Sequence, residues 1–252
     1  MAKSNHYYIR KSHRYLGVLL GIQFLCWTIG GLYFSWTNIH EIHGDNQRRQ
    51  PPLLSASIQL VSPTDVLDSI KKTHKLDSLV SIQLIDILGR PFYQIRCIEV
   101  MGSTAQPSSK SMLMNHLADA STGVLRPPLN KLESINVAKR YFNGLPQVKN
   151  VEFITNTHGH HEYRDNPLPA YAITFQDPAS TTVYVASELG TVQKFRNNGW
   201  RVFDFLWMLH TMDYKGRDYL ANILLRTFSI VGLITIISGF ALFFVSSKWF
   251  RK

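Results

Sequence analysis

Two uncharged apolar stretches, one towards each end, constrain this chain more than any other feature. Tyr15 to Trp36 (YLGVLLGIQFLCWTIGGLYFSW) runs 22 residues without a charge, and Thr227 to Ser247 (TFSIVGLITIISGFALFFVSS) another 21. At a rise of about 1.5 Å per residue, either helix is long enough to cross a hydrocarbon core of about 30 Å. A cleaved signal peptide would carry a shorter apolar region followed by small residues of the Ala-x-Ala kind. None is found here, so the first stretch reads as an uncleaved anchor.

The formal charge of +10 suggests nucleic-acid binding until its location is considered. No acidic residue precedes Glu41 or follows Asp218, while Lys3, Arg10, Lys11, Arg14, Arg226, Lys248, Arg251 and Lys252 all lie outside those limits. The remaining 19 bases nearly balance 17 acids. Lys and Arg crowded beside apolar helices resist translocation and mark the cytoplasmic side. The expectation is an inner-membrane protein with both termini cytoplasmic, a periplasmic central domain and no nucleic-acid partner. Tyr33, Trp36, Trp249 and Phe250 fit the aromatic belts of a bilayer; Gly17 with Gly21 makes a small-xxx-small pair, and Gly30, Gly31, Gly232 and Gly239 thin the helices further, all suited to close helix packing. Cys26 in an anchor and Cys97 in the central region imply no disulfide framework.

The central region contains two similar units spaced about 67 residues apart. Pro63 to His74, with Ser62 as N-cap, and Lys131 to Phe142 read as amphipathic helices. Three short alternating runs follow each. They are Leu79 to Ile87, Phe92 to Val100 and Ser111 to Leu117, then Val148 to Thr155, Ala170 to Phe175 and Thr182 to Ala186. Each unit closes on a turn whose glycine, Gly123 or Gly190, suits a positive φ. The reading is an α+β membrane protein. It comprises a cytoplasmic N-terminus 1–14, transmembrane helix 15–37, linker 38–61, first unit 62–126, second unit 127–199, interfacial segment 200–219, transmembrane helix 220–247 and cytoplasmic C-terminus 248–252. The interfacial segment is rich in Phe203, Phe205, Leu206, Trp207 and Leu209 and is expected to couple the domain to the bilayer.

Several stretches resemble the PepSY-associated transmembrane family, whose members carry PepSY domains outside the membrane between helices and are described as iron-regulated. They include Arg10-Lys-Ser-His13-Arg-Tyr-Leu-Gly17, Trp27, Gly30-Gly31-Leu-Tyr-Phe-Ser35 and Leu209-His210. Leu168-Pro-Ala-Tyr-Ala-Ile-Thr-Phe175 and Thr182-Val-Tyr-Val185 with the Gly190 turn are similar to a PepSY strand pair. This chain has two helices where longer members have four, and Ala186 and Leu189 stand where the family favours Asp and Thr. Longer members resemble ferric or ferrisiderophore reductases, in which helix histidines hold b-type haem. The resemblance therefore implies a haem b held by His210 with His40 or His43 as iron ligands, and Arg226 near a propionate. Arg226 could instead meet Asp213 or Asp218, or snorkel to the interface. His13, at the other end of the first helix, is expected about 30 Å from His210, too far to share that haem.

His158-Gly-His160-His161-Glu162 offers imidazole and carboxylate donors, but its spacing matches no closed metal site and it reads as a polar hairpin loop. No nucleophile elbow, phosphate loop, HExxH or CxxC gives a catalytic assignment. Two functions follow from the resemblance. One is an accessory or electron-transfer component in iron or siderophore reduction or uptake, with a membrane redox or transport partner or a second copy. The other is a non-redox, membrane-anchored interaction module acting on envelope proteins such as proteases.

Overall fold

The computed structural model describes residues 5–50, 53–101, 110–145 and 147–246. Lys3 and the basic and aromatic residues of 248–252 lie outside them. In chain order the elements are α1 (Asn5–Trp36), the single turn α2 (Ile39–Ile42), α3 (Pro63–Thr73), β1 (Leu76–Ile87), β2 (Arg90–Met101), β3 (Lys110–Asp119), β4 (Leu125–Arg126), α4 (Lys131–Tyr141), β5 (Val148–Ile154), β6 (Ala170–Phe175), β7 (Thr182–Ala186), β8 (Thr191–Arg196), α5 (Asn198–Thr211) and α6 (Ile223–Ser246). They form two compact units. Residues up to Ile39 and from Gly199 make a helical unit, and His40–Asn198 a central domain.

In the helical unit, α1 and α6 are both long and apolar enough to cross a membrane, over Arg10–Trp36 and Ile223–Phe244. Only 17 % and 11 % of their apolar windows are buried, so neither is the core helix of a globular fold. They meet along a narrow seam where Leu20, Gln23 and Thr235 are buried and His13 Nδ1 lies 2.8 Å from Ser238 Oγ. The expected small-residue pair does not make this seam, because a β-carbon on Gly17 or Gly21 would meet nothing within 4 Å. Gly232 and Gly239 of α6, also expected to permit close contact, do line it. A β-carbon on Gly232 would come within 3.2 Å of Phe24, and one on Gly239 within 3.4 Å of His13, so large side chains of α1 fill gaps left on α6. Phe203 of α5 packs on Phe34 of α1 with ring centroids 4.7 Å apart, and Gln23 Nε2 donates to Leu209 O.

The central domain begins with helices that the sequence caps well. Ser62 Oγ accepts from Thr64 N ahead of Pro63, and Asn130 and Glu133 form a reciprocal capping box at α4. The expected strands are present, but each unit has four rather than three. Leu125–Arg126 and Thr191–Arg196 pair after the glycine turns to give antiparallel sheets ordered β1-β2-β3-β4 and β5-β6-β7-β8. A tight turn that reverses the chain places the following residues beside the strand just left, so the turns start a fourth strand rather than end the unit. Both turns share one backbone bond, Gly123 N to Asp119 O at 2.8 Å and Gly190 N to Ala186 O at 2.9 Å, with glycine φ values of 77° and 70°. Ala186 thus supports the same turn that Asp119 builds, without the side-chain oxygen that accepts from Ser121 N and Thr122 N.

Alternation along the strands assigns the cores. Tyr93 and Ile95 of β2 with Ala118 of β3 face Val66 and Ile70 of α3. The opposite face of the same sheet, through Ile87, Phe92 and Leu117, joins the main core with Val137, Ala138 and Phe142 around α4 and with Ile173, Phe175, Val183 and Val185 of the second sheet. The second sheet's other face is covered by the 155–169 loop, where Tyr163 is fully buried and stacks on Tyr184 with centroids 4.8 Å apart and planes within 9°.

Candidate functional site

On β2 the side chains sharing the α3-facing parity are Tyr93, Ile95, Cys97 and Glu99. The run is apolar until the strand passes the end of α3, where the core is replaced by polar groups. There Glu99 lies opposite Leu76 of β1 and Met112 of β3, only 3 % exposed. His74 is the C-cap of α3, its N–H closing the helix on Ile70 O. His116 lies on β3 opposite Ile95, on the same face. Three separate segments thus deliver their polar groups to one point.

His116 Nε2 lies 2.5 Å from Glu99 Oε1, and His74 Nδ1 lies 3.1 Å from Glu99 Oε2. The two imidazole centroids are 4.8 Å apart at 62°. Cys97 Sγ, itself fully buried, lies 3.6 Å from Glu99 Oε1 and 3.9 Å from Met114 O. No Lys or Arg pairs with Glu99 among the described residues, so its charge is met by the histidines alone. Burial by itself would raise the Glu99 carboxyl, but the hydrogen bond and charge of His116, then those of His74, bring it below the usual glutamate range. Glu99 is therefore ionised near neutral pH and only accepts, which requires His74 Nδ1 and His116 Nε2 to carry the donated protons. Burial first, then the Glu99 carboxylate, push the Cys97 thiol up to about 11, so it remains protonated and unreactive.

This cluster has no motif in the sequence, since its members are 25 and 17 residues apart. One signal could have found it. A glutamate on the buried parity of a strand that reads Tyr93, Ile95, Cys97, Glu99 demands partners.

The expected haem ligands are divided between the two units. His40 is exposed and its Nδ1 lies 2.9 Å from Asp45 Oδ2, and His43 is exposed as well. Both belong to the central domain. His210 belongs to the helical unit, where its ring stacks on Trp207 and lies about 6 Å from the Trp27 and Phe34 rings. Its Nδ1 is buried without a hydrogen-bond partner, and its carbonyl accepts from Trp27 Nε1. Within that unit no second described histidine lies beside it, because His13 is 14 residues along α1 from Trp27, about 21 Å at the helical rise. If a haem were bound there, His210 would be the one described histidine of the helical unit beside it.

Arg226 is exposed on α6 and takes part in no ion pair among the described residues, whereas the Asp213 carboxylate accepts from the amides of Lys215, Gly216 and Tyr219. Burial raises the Asp213 carboxyl, but these backbone hydrogen bonds outweigh it and hold the group below its usual range. Asp213, one of the alternative partners for Arg226, thus closes a tight polar turn ahead of α6. In the His158–Glu162 loop, His161 Nδ1 accepts from Tyr163 N and Tyr184 OH donates to Glu162. His160, His161 and Glu162 line a cavity of about 390 Å³ on the second sheet, together with Glu152, Thr174 and Tyr184. His74, Glu99 and His116 are the one group of three or more His, Cys, Asp or Glu residues among the described residues with metal-ligand spacing. No protein-family model, curated protein or solved structure matches this chain.

Proposed function

We propose that this chain is a membrane-anchored recognition module, in which α1 and α6 lie in the bilayer and the PepSY-like central domain engages a protein partner on the extracytoplasmic side. The anchoring half is supported by two apolar helices of which only 17 % and 11 % of the apolar windows are buried within the chain. The recognition half rests on one observation. β1 is a 12-residue edge strand, its outer edge is paired with no strand among the described residues, and Leu79, Val80 and Leu84 on it are all more than 40 % exposed. Soluble domains usually blunt such edges with charge or cover, and an exposed apolar edge is a template for an added strand. A photo-crosslinking residue at Val80 of the membrane-resident protein should give a discrete adduct that Leu84→Pro abolishes. The same probe at Lys149 on β5 should give none. Absence of an adduct at Val80 removes the recognition reading, and extraction of the protein by alkaline carbonate removes the anchoring.

A second reading, a b-type haem component in iron or siderophore reduction, is favoured by the unpartnered His210 nitrogen within its aromatic surround. Haem-supplemented, detergent-purified protein with no Soret band, or with a band unchanged by His210→Ala, disposes of it.

A further inference from the structure

We propose that His74, Glu99 and His116 form a site for one divalent transition-metal ion of the borderline class that Zn²⁺ represents. This goes beyond the recognition reading and does not depend on it. The donor set is two imidazoles and one carboxylate, a combination that suits zinc and its first-row neighbours and is poor for the all-oxygen preferences of Mg²⁺ and Ca²⁺. The three ligand atoms all lie within 4.8 Å of one another. With metal–ligand bonds of about 2.0–2.2 Å, tetrahedral geometry separates neighbouring ligands by about 3.4 Å. His74 Nδ1 lies 3.1 Å from Glu99 Oε2 and His116 Nε2 2.5 Å from Glu99 Oε1, so a rotation of the carboxylate and small side-chain shifts reach that value.

The surroundings favour an ion over a purely structural triad. Position 99 continues the parity of Tyr93 and Ile95, so the fold alone would be served by an apolar side chain there, and a buried carboxylate is costly unless well compensated. Among the described residues no guanidinium or ammonium pairs with Glu99 to supply the compensation. A divalent cation would do so, and it would tie the C-terminal end of α3 to β2 and β3. Access is one-sided, because the His74 side chain is 38 % exposed while His116 and Glu99 are 13 % and 3 % exposed. Three protein ligands with one open side leave a fourth position for water or for a donor from a partner. Metal entry replaces the two N–H donors facing Glu99, so each neutral imidazole moves its proton to the other ring nitrogen and an imidazolium releases it. Cys97 hydrogen-bonds Glu99 from within the core and is not a ligand.

The test uses tag-free, full-length protein in detergent, stripped with a chelator and titrated with Co²⁺ followed by visible absorption. One equivalent should give d–d bands that Zn²⁺ then displaces, without a sulfur-to-cobalt charge-transfer band. His74→Gln and His116→Gln should each weaken binding at least about tenfold, the lower range for disturbing a metal site. His74→Gln alters a partly exposed residue and so leaves the core intact, and circular dichroism checks that both variants are folded. The double change His160→Gln with His161→Gln should leave the titration unaltered. The site is overturned if no d–d bands appear, if folded His74→Gln binds as the parent does, or if the His160/His161 variant abolishes binding. A sulfur charge-transfer band overturns the proposed ligand set.

Discussion

Replacing Gly190 by alanine isolates the contact by which the second repeat wedges into the first. Gly190 has a φ of +70°, and an added β-carbon would lie 2.6 Å from Ile87 Cδ1 and 3.3 Å from Leu117 Cδ1, both in the main core. The left-handed backbone alone costs an L-residue about 1–2 kcal/mol. Overpacking of a filled core adds about 1–3 kcal/mol, for a total of about 2–5 kcal/mol. Gly123, 67 residues earlier, is an internal control. Its φ is +77°, but its β-carbon would meet Val61 at 3.5 Å, an ordinary contact, so Gly123→Ala should cost only the backbone part, about 1–2 kcal/mol. The difference, about 1–3 kcal/mol, corresponds to roughly 2–12 °C in Tm for a domain of this size. Thermal unfolding of both full-length variants in detergent, followed by near-ultraviolet circular dichroism, reads it directly. Equal melting points, or a lower one for Gly123→Ala, would refute the assignment of Gly190 to a close-packed junction.

Tyr163 donates to Pro167 O at 2.7 Å and stacks on Tyr184, so Tyr163→Phe should lose about 1 kcal/mol and Tyr163→Ala about 3–5 kcal/mol in denaturant unfolding; similar losses would show that the hydroxyl outweighs the ring. Because the folded-state Glu99 carboxyl lies below its unfolded value of about 4.3, its stabilisation is fully present above that pH and is lost as pH falls through the lower, folded value. Glu99→Gln should therefore be less stable at neutral pH and show a shallower acid slope in urea titrations, and an unchanged slope contradicts the ionised assignment. In a Cys26→Ala background, Cys97 should resist a thiol reagent at pH 8 until the protein is unfolded, since it is buried and its thiol is pushed up to about 11. Rapid labelling of the folded protein would show that the site opens.

The elements that the sequence made legible carry long periodic signals. The α3 and α4 caps, the apolar lengths of α1 and α6 and the alternation along β2 each depend on neighbours in the chain. β4 and β8 were missed because Leu125–Arg126 has only two residues and Thr-Val-Gln-Lys-Phe-Arg is short and carries two charges. Their strand character comes from the partner strand rather than from their own composition. The candidate site was missed for the same reason, as His74, Glu99 and His116 meet only when α3 folds back over the sheet. Histidine density drew attention to His40, His43, His158, His160 and His161, which stand mainly on exposed turns, and away from His74 and His116. The glycine pair of α1 misled in a similar way, since small residues permit close packing without saying which face is used.

Gly190 is one of several places where the repeats share material. Gln94 Nε2 donates to Leu189 O and Asn115 Nδ2 to Glu188, while Phe92 and Leu117 sit among the second repeat's apolar side chains. Duplicated units usually suggest modules that can be separated or exchanged, but these two have divided a single interior between them. A break after Arg126 would leave one half with an uncovered apolar sheet and the other with a hole where Ile87, Phe92 and Leu117 belong. The repeats are therefore obligate companions, and damage to one should be felt as unfolding of both.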